Sequence, residues 1–257
     1  MRILSDLAYG AHPEQALDLA LPGAPRAVVC YAHGGGFVRG SRKEATFAVL
    51  TQALWPLGIA TASVGYRLRG RGEDLAPDDQ IALRRMIAAS MASGLRLQPA
   101  LYGAAFALAL FDLSSAVAAL RSGQVAPQTR GLPIVVLGMS AGGIAALSLA
   151  YPPRVWARRL ERPAGVVAVS AAMVQPWRLR AGGPPCVMLH SKSDRIIPPS
   201  DARLAQTVAQ GAGADLRLIE SDVRGHVPQL DLLLKGTLPG GRPGLSLLTD
   251  LVARVCL

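Results

Sequence analysis

The chain of 257 residues has few aromatic side chains, few charges and little cysteine. Phe, Trp and Tyr make up 5% of the residues, and no basic block alternates with aromatic side chains that could stack on bases. We therefore expect no nucleic-acid partner, although the net charge is +10. Charged residues amount to 17% and hydrophobic residues to 51%, which favours a parallel sheet buried on both faces.

Three cysteines form no disulfide framework, and an odd count favours a reducing compartment. Asp6 interrupts the apolar stretch that a signal peptide would need. The longest apolar run, from Ala100 to Phe111, is shorter than the roughly 18 residues of a spanning helix. The four histidines and three cysteines show no metal-ligand spacing. We expect a cytoplasmic protein that has no membrane span and needs no metal or organic cofactor.

One serine stands between glycines in the pentapeptide Gly138-Met139-Ser140-Ala141-Gly142. The apolar run Pro133–Leu137 before it predicts a buried strand, and Ile144–Leu147 after it predicts a helix. In this setting G-x-S-x-G is typical of a nucleophile elbow, a strained turn that lifts the hydroxyl clear of the sheet. Gly138 and Gly142 suit such a turn because neither has a Cβ that could collide with neighbouring backbone.

A second glycine-rich motif, His33-Gly34-Gly35-Gly36-Phe37, follows the apolar run Ala27–Ala32. Glycines at the end of a strand allow backbone N–H groups to point into a cavity without obstruction. Acyl transfer needs such donors because the carbonyl oxygen becomes an oxyanion. The alternative is a glycine-rich turn without chemistry, which the elbow about a hundred residues later disfavours.

Together the two motifs resemble the α/β-hydrolase superfamily, specifically the HGGG-type carboxylesterases of the hormone-sensitive-lipase-like group. The resemblance covers most of the chain and extends to Leu17-Asp18-Leu19, Gly65-Tyr66-Arg67-Leu68, Asp194 and His226. It implies an oxyanion hole formed by the N–H groups of Gly35, Gly36 and Ala141. It also implies that the remaining motif residues support this hole and the elbow: His33, Gly34, Gly138 and Gly142.

A nucleophilic serine needs a base, and the base needs an acid to orient it. In this fold the chain order is Ser, then Asp or Glu, then His. We predict His226 as the base because it follows the last strand-like run, whereas His190 precedes the acid candidates and is read as structural. Asp194 is the predicted acid because it occupies the turn after a buried run. Asp222 is the alternative acid.

Strands and helices alternate along the chain, which predicts a mostly parallel, doubly wound sheet flanked by helices in one domain over residues 1–257. Helices are expected to begin at Glu44, through a capping box with Ser41, and at Asp112. Residues 72–110 exceed the connection expected from the resemblance and predict a helical insertion that covers the acyl pocket. An extra packing layer away from the site and a homodimer contact are the alternatives.

These residues predict a serine hydrolase that cleaves small to medium carboxylic esters through an acyl-enzyme. An amidase, a formamidase or an acyltransferase could use the same three side chains, because the pocket decides the leaving group. A non-catalytic ligand-binding protein on the same fold is the third alternative. That alternative predicts the loss of a catalytic residue, yet Ser140, Asp194 and His226 are all present.

Overall fold

Eight strands form a single sheet in the computed structural model, which describes residues 2–256. The strands are β1 (Arg2–Ala8), β2 (Ala16–Leu21), β3 (Ala27–Ala32), β4 (Ile59–Val64), β5 (Ile134–Met139), β6 (Gly165–Val169), β7 (Cys186–Ser191) and β8 (Leu216–Ser221). Their order across the sheet is β1-β2-β4-β3-β5-β6-β7-β8. β2 is antiparallel to both β1 and β4. All other neighbouring pairs of the sheet, from β4–β3 to β7–β8, are parallel.

Helices cover both faces of the sheet. They are α1 (Ala45–Leu54), α2 (Pro77–Ala92), α3 (Ala104–Ser122), α4 (Ala141–Ala150), α5 (Pro199–Gly211), α6 (Pro228–Lys235) and α7 (Ser246–Val255). One core cluster contains buried side chains of α3, α4 and α5, and the other contains those of α1, α6 and α7. Every residue of β3 to β7 is buried, as expected for strands covered on both faces. The predicted doubly wound sheet is therefore confirmed.

The capping box predicted at Ser41 and Glu44 and the helix start predicted at Asp112 are wrong. The helix after Ser41 begins at Ala45, and its N-cap residue Glu44 makes no side-chain capping hydrogen bond. Asp112 does not begin a helix but lies in the middle of α3, where it is fully buried. Its carboxylate accepts hydrogen bonds from the side chain of Arg67 (2.6 Å) and from that of Gln15 (2.7 Å). A carboxylate with these partners is stable inside a helix, which cannot be read from the local sequence.

Residues 72–110 consist of a short 3-10 turn, α2, a second 3-10 turn at Pro99–Tyr102 and the first part of α3. Because α3 continues from Ala104 to Ser122, the predicted boundary at residue 110 falls inside a helix. The apolar side chains of α2 are only partly buried, since Leu83 and Met86 are buried but Met91 is 59% exposed. Whether this segment acts as a cap is not decided by these contacts and stays a prediction.

The stretch Pro99–Ser122 is long and apolar enough to cross a membrane by length and composition, with a mean hydropathy of 1.8 over 18 residues. Two thirds of that window (67%) is buried inside the protein, as in the core helix of a soluble protein. The absence of a membrane span, expected from the sequence, stays a prediction.

Candidate active site

Ser140 occupies a strained turn between β5 and α4. Its backbone has φ 51° and ψ −116°, a conformation that non-glycine residues rarely adopt. A Cβ added to Gly138 would lie 2.5 Å from the Gly142 carbonyl, and one added to Gly142 would lie 2.6 Å from the carbonyl oxygen of His33. Both glycines are therefore required by close backbone approach, as the elbow reading predicts.

The glycine-rich loop after β3 lies directly beside this turn. Gly35 and Gly36 have φ values of 112° and 64°, which glycine adopts readily. The N–H of Gly142 donates to the carbonyl oxygen of His33 (3.1 Å), so a backbone hydrogen bond joins the two motifs. No backbone carbonyl among residues 2–256 accepts a hydrogen bond from Gly35, Gly36 or Ala141. These N–H groups are therefore free of backbone partners next to Ser140.

His33 stabilises the glycine-rich loop through its ring and its backbone carbonyl. Its ring is buried and stacks on Tyr66 with a centroid distance of 4.3 Å, and its Nδ1 lies 2.7 Å from the carbonyl oxygen of Gly34. The Tyr66 hydroxyl donates to the carbonyl oxygen of His33 (2.7 Å). Burial lowers the pKa of His33, which favours the neutral ring. These contacts hold the loop in place.

The structure brings Ser140, His226 and Asp194 together in a row. His226 Nε2 lies 2.8 Å from Ser140 Oγ, and His226 Nδ1 lies 2.7 Å from Asp194 Oδ2. Ser140 and His226 are each 9% exposed and Asp194 is 5% exposed. Ser140 follows β5, Asp194 follows β7 and His226 follows β8, so the carboxyl ends of three parallel strands place them at one edge of the sheet.

Asp194 is held by backbone as well as by His226. Its Oδ1 accepts hydrogen bonds from the N–H groups of Ile196 (2.8 Å) and Ile197 (3.1 Å). Burial acts to raise the pKa of Asp194, but the hydrogen bonds from His226 and from these two amides outweigh it and lower the pKa. Asp194 is therefore a carboxylate at neutral pH, aimed at one nitrogen of His226.

The two alternative residues take no part in this row. His190 is fully buried behind Asp194, where its Nε2 lies 3.0 Å from the Ile197 carbonyl oxygen and 3.5 Å from Asp194 Oδ2. Asp222 is exposed and pairs with Lys192 (2.9 Å). The structural reading of His190 fits its position at the end of β7.

One supporting residue was not predicted from the sequence. Ser170, at the end of β6, donates its hydroxyl hydrogen to the carbonyl oxygen of His226 (2.7 Å). Its φ of 48° marks a second strained position at the same edge of the sheet. No motif in the sequence identifies Ser170, because its partner lies 56 residues away.

A cavity of about 590 Å³ opens beside Ser140 and His226. The glycine-rich loop forms one wall, and apolar side chains form much of the rest: Val38, Leu101, Met139, Ile196, Val227 and Leu230. Leu101 comes from the 72–110 segment, so that segment contributes one wall residue. The charged groups on the wall are Arg39 and Glu44, and Glu44 accepts a hydrogen bond from the Tyr31 hydroxyl (3.2 Å). The cavity lies at the edge of the sheet that carries Ser140 and His226. Its apolar wall suits an apolar ligand, whose carbonyl group would lie next to Ser140.

Between residues 2 and 256, no group of three or more His, Cys, Asp or Glu side chains could hold a metal ion. That the protein needs no metal or organic cofactor stays a prediction.

No protein-family model matches the chain, and no curated protein sequence matches it. Solved structures, in contrast, do match the chain. A truncated carbohydrate esterase from gut microbiota has a TM-score of 0.69 at 13% identity over 100% of this chain and 96% of its own. Native esterase 2 of Thermogutta terrifontis has a TM-score of 0.64 at 17% identity over 88% and 83%. The same esterase phosphorylated by paraoxon has a TM-score of 0.63 at 17% identity over 98% and 91%.

At these identities the likeness shows the fold alone. The eight-stranded, mostly parallel sheet with helices on both faces is an α/β-hydrolase fold, as the sequence predicts. Membership of the HGGG-type group and the roles of individual residues are not decided by this likeness.

Proposed function

We propose that this protein is a serine hydrolase that cleaves small to medium carboxylic esters. The observation that carries the proposal is the row Ser140–His226–Asp194, with hydrogen-bond distances of 2.8 and 2.7 Å, at the wall of an apolar cavity. The fold neighbours support it, because they are esterases and one of them carries a phosphoryl group from paraoxon.

In the proposed first step, His226 Nε2 takes the proton of Ser140 as the serine oxygen attacks the ester carbonyl. Asp194 keeps the proton of His226 on Nδ1 and stabilises the imidazolium that forms. The N–H groups of Gly35, Gly36 and Ala141 donate to the oxyanion. His226 then gives its proton to the departing alcohol oxygen, which leaves an acyl-serine.

In the second step, water enters the position of the alcohol. His226 takes a proton from the water, whose oxygen attacks the acyl carbonyl under the same N–H groups. The tetrahedral intermediate breaks down to release the carboxylic acid, and His226 returns the proton to Ser140. The sequence of steps consumes one ester and one water and restores every side chain.

The cavity supports the proposed size range of the substrate. Its volume of about 590 Å³ falls within the range of small-molecule sites, and its apolar side chains favour an aliphatic or aromatic acyl group. We propose a small-molecule ester as the only partner the reaction needs. Cytoplasmic location, the absence of nucleic-acid binding and homodimer formation stay predictions.

Hydrolysis of 4-nitrophenyl acetate, butyrate and octanoate tests the proposal. Ser140→Ala should lower kcat by about 10⁶, because the covalent step is lost and the base has no partner. Ser148→Ala is the matched control, since Ser148 is buried in α4 and no group among residues 2–256 bonds its hydroxyl. Unchanged hydrolysis by the Ser140 variant would contradict the proposal. A faster rate on matched anilides than on esters would instead indicate an amidase.

A further inference from the structure

A second cavity adjoins His226. It has a volume of about 630 Å³ and is lined by Ser193, Arg195, Ile196, Arg224, Gly225 and His226. It shares Ile196 and His226 with the cavity beside Ser140, but none of its wall comes from the glycine-rich loop or from the elbow. We call it the arginine cavity.

The position of the arginine cavity relates it to one half of an ester. In the proposed reaction the carbonyl oxygen points to Gly35 and Gly36, which line the first cavity. The alcohol leaves towards His226, because that side chain must protonate its oxygen. A cavity that contacts His226 but no part of the glycine-rich loop is therefore placed to receive the alcohol part.

The charge in this cavity is of one sign. Arg195 and Arg224 are both exposed, and neither has a carboxylate within 4 Å among residues 2–256. Asp222, two residues from Arg224, is already paired with Lys192 at 2.9 Å, and Asp194, next to Arg195, is paired with His226 at 2.7 Å.

Two other exposed arginines of this part of the chain have acidic partners. Arg203 pairs with Glu220 at 2.7 Å, and Arg254 pairs with Asp215. Arg195 and Arg224, like Arg217 on β8, have no such partner among the described residues, but these two line a cavity together with His226. A guanidinium group binds a carboxylate through two parallel hydrogen bonds. The pair therefore fixes the orientation of the carboxylate as well as attracting its charge.

We propose that the arginine cavity binds the alcohol part of the substrate and selects esters whose alcohol or phenol carries a carboxylate. The inference rests on the proposed ester hydrolysis and adds the class of leaving group to it. Arg195 and Arg224 act as specificity-determining residues that hold the anion while His226 protonates the leaving oxygen. The apolar cavity beside Ser140 remains the site for the acyl group.

Two matched phenyl acetates test the inference. 4-Acetoxybenzoate carries a carboxylate on the leaving phenol, and its methyl ester is neutral, so the ratio of their kcat/KM values (phenol release) reports anion selection. Comparing this ratio between wild type and variants removes the intrinsic reactivity difference between the two substrates. The ratio should fall about threefold for Arg195→Gln or Arg224→Gln and about tenfold for the double variant, because exposed pairs are individually weak.

Two controls separate a bound anion from a general charge effect. Arg217→Gln removes the same charge at an exposed position near the start of β8, remote from the site, and should leave the ratio unchanged. In wild type the ratio should also fall between 0.05 and 1 M NaCl, because the screening length shortens to about 3 Å at 1 M. A second pair, 4-nitrophenyl hemisuccinate and butyrate, places the anion on the acyl part and should respond little to the arginine variants.

Each outcome decides one of the two proposals. A ratio that the double variant leaves unchanged, or that Arg217→Gln lowers as much, would overturn the arginine cavity as an anion subsite. A larger fall for the hemisuccinate pair would overturn its assignment to the alcohol part. In both cases Ser140-dependent hydrolysis of the neutral acetate would leave the proposed function standing. Loss of hydrolysis of every ester by wild type would overturn both.

Discussion

The serine side of the candidate site is built from backbone, whereas the acid and base side is built from side chains. Around Ser140 the important groups are glycines and amide N–H donors, joined by the bond from Gly142 to His33. Around His226 the important groups are the Asp194 carboxylate, which binds His226 and two backbone N–H groups, and the Ser170 hydroxyl. Substitution of the glycines should therefore damage the fold on the first side, and substitution of the side chains should damage the chemistry on the second.

After Ser140→Ala, the largest effect on activity is expected on the side-chain side, from Asp194→Asn. Asparagine lacks the carboxylate that keeps the proton of His226 on Nδ1. Because the proton can then move to Nε2, Nε2 is no longer free to accept the Ser140 proton, and kcat should fall by about 10⁴. Steady-state hydrolysis of 4-nitrophenyl butyrate measures this, with the melting temperature Tm as the check on folding.

Asp222→Asn is the matched control for that change. Asp222 is exposed and its carboxylate pairs, among residues 2–256, with Lys192 alone at 2.9 Å, so its substitution should leave kcat within about twofold of wild type. The opposite pattern, a large loss from Asp222→Asn and none from Asp194→Asn, would make Asp222 the acid.

On the backbone side, Gly142→Ala should damage the fold itself. The added Cβ would overlap the carbonyl of Ala32 and lie 2.6 Å from the carbonyl oxygen of His33, and neither backbone segment can move without disturbing β3. We expect a loss of about 3 kcal/mol in the free energy of unfolding, measured by urea denaturation.

Gly211→Ala tests whether this loss is specific to the elbow. Gly211 ends α5, and nothing lies within 4 Å of a Cβ added there, so alanine should be neutral or stabilise by about 0.5 kcal/mol. Equal stability of the two variants would show that the elbow tolerates side chains and would remove the contrast between the two sides.

The smallest effect is expected from Asp201→Asn, behind the loop that carries Asp194. Asp201 is buried, its Oδ1 accepts from the N–H of Arg96 (2.9 Å), and its Oδ2 has no partner among residues 2–256. Burial raises the pKa of Asp201. An acid whose pKa is raised on folding costs stability as the pH rises from the unfolded pKa through the folded pKa.

Asparagine keeps the acceptor for Arg96 and removes the charge. Tm of Asp201→Asn should exceed that of wild type by about 2 °C at pH 7, and the difference should shrink as the pH falls towards 4 and the wild-type carboxyl takes up a proton. Thermal melts at pH 4 and pH 7 measure both. A variant less stable than wild type at pH 7 would show that the charged carboxylate stabilises the fold through groups other than Arg96.

How far the sequence predicts the structure depends on how local each cause is. The elbow is predictable because close backbone approach excludes every residue but glycine at Gly138 and Gly142. The glycine-rich loop is predictable for the same reason, since a Cβ on Gly35 would overlap the carbonyl of Arg39. The positions of Asp194 and His226 are predictable because parallel strands end at the same edge of the sheet.

The features that sequence reasoning missed all depend on distant partners. Asp112 stands mid-helix because Arg67, 45 residues earlier, neutralises it, whereas its local pattern is typical of a helix start. Ser170 supports His226 across 56 residues and belongs to no motif. The unpaired state of Arg195 and Arg224 appears only once the acidic residues around them have been placed in space.

Covalent labelling of the serine tests the central claim most directly. A fluorophosphonate probe attacked by Ser140 should form one adduct per chain, located by peptide mass spectrometry on the peptide that contains residues 138–142. Loss of esterase activity should follow the labelled fraction one to one, and Ser140→Ala should take up no probe. Full inactivation with the adduct on another residue, or full labelling of Ser140 with activity retained, would contradict the account.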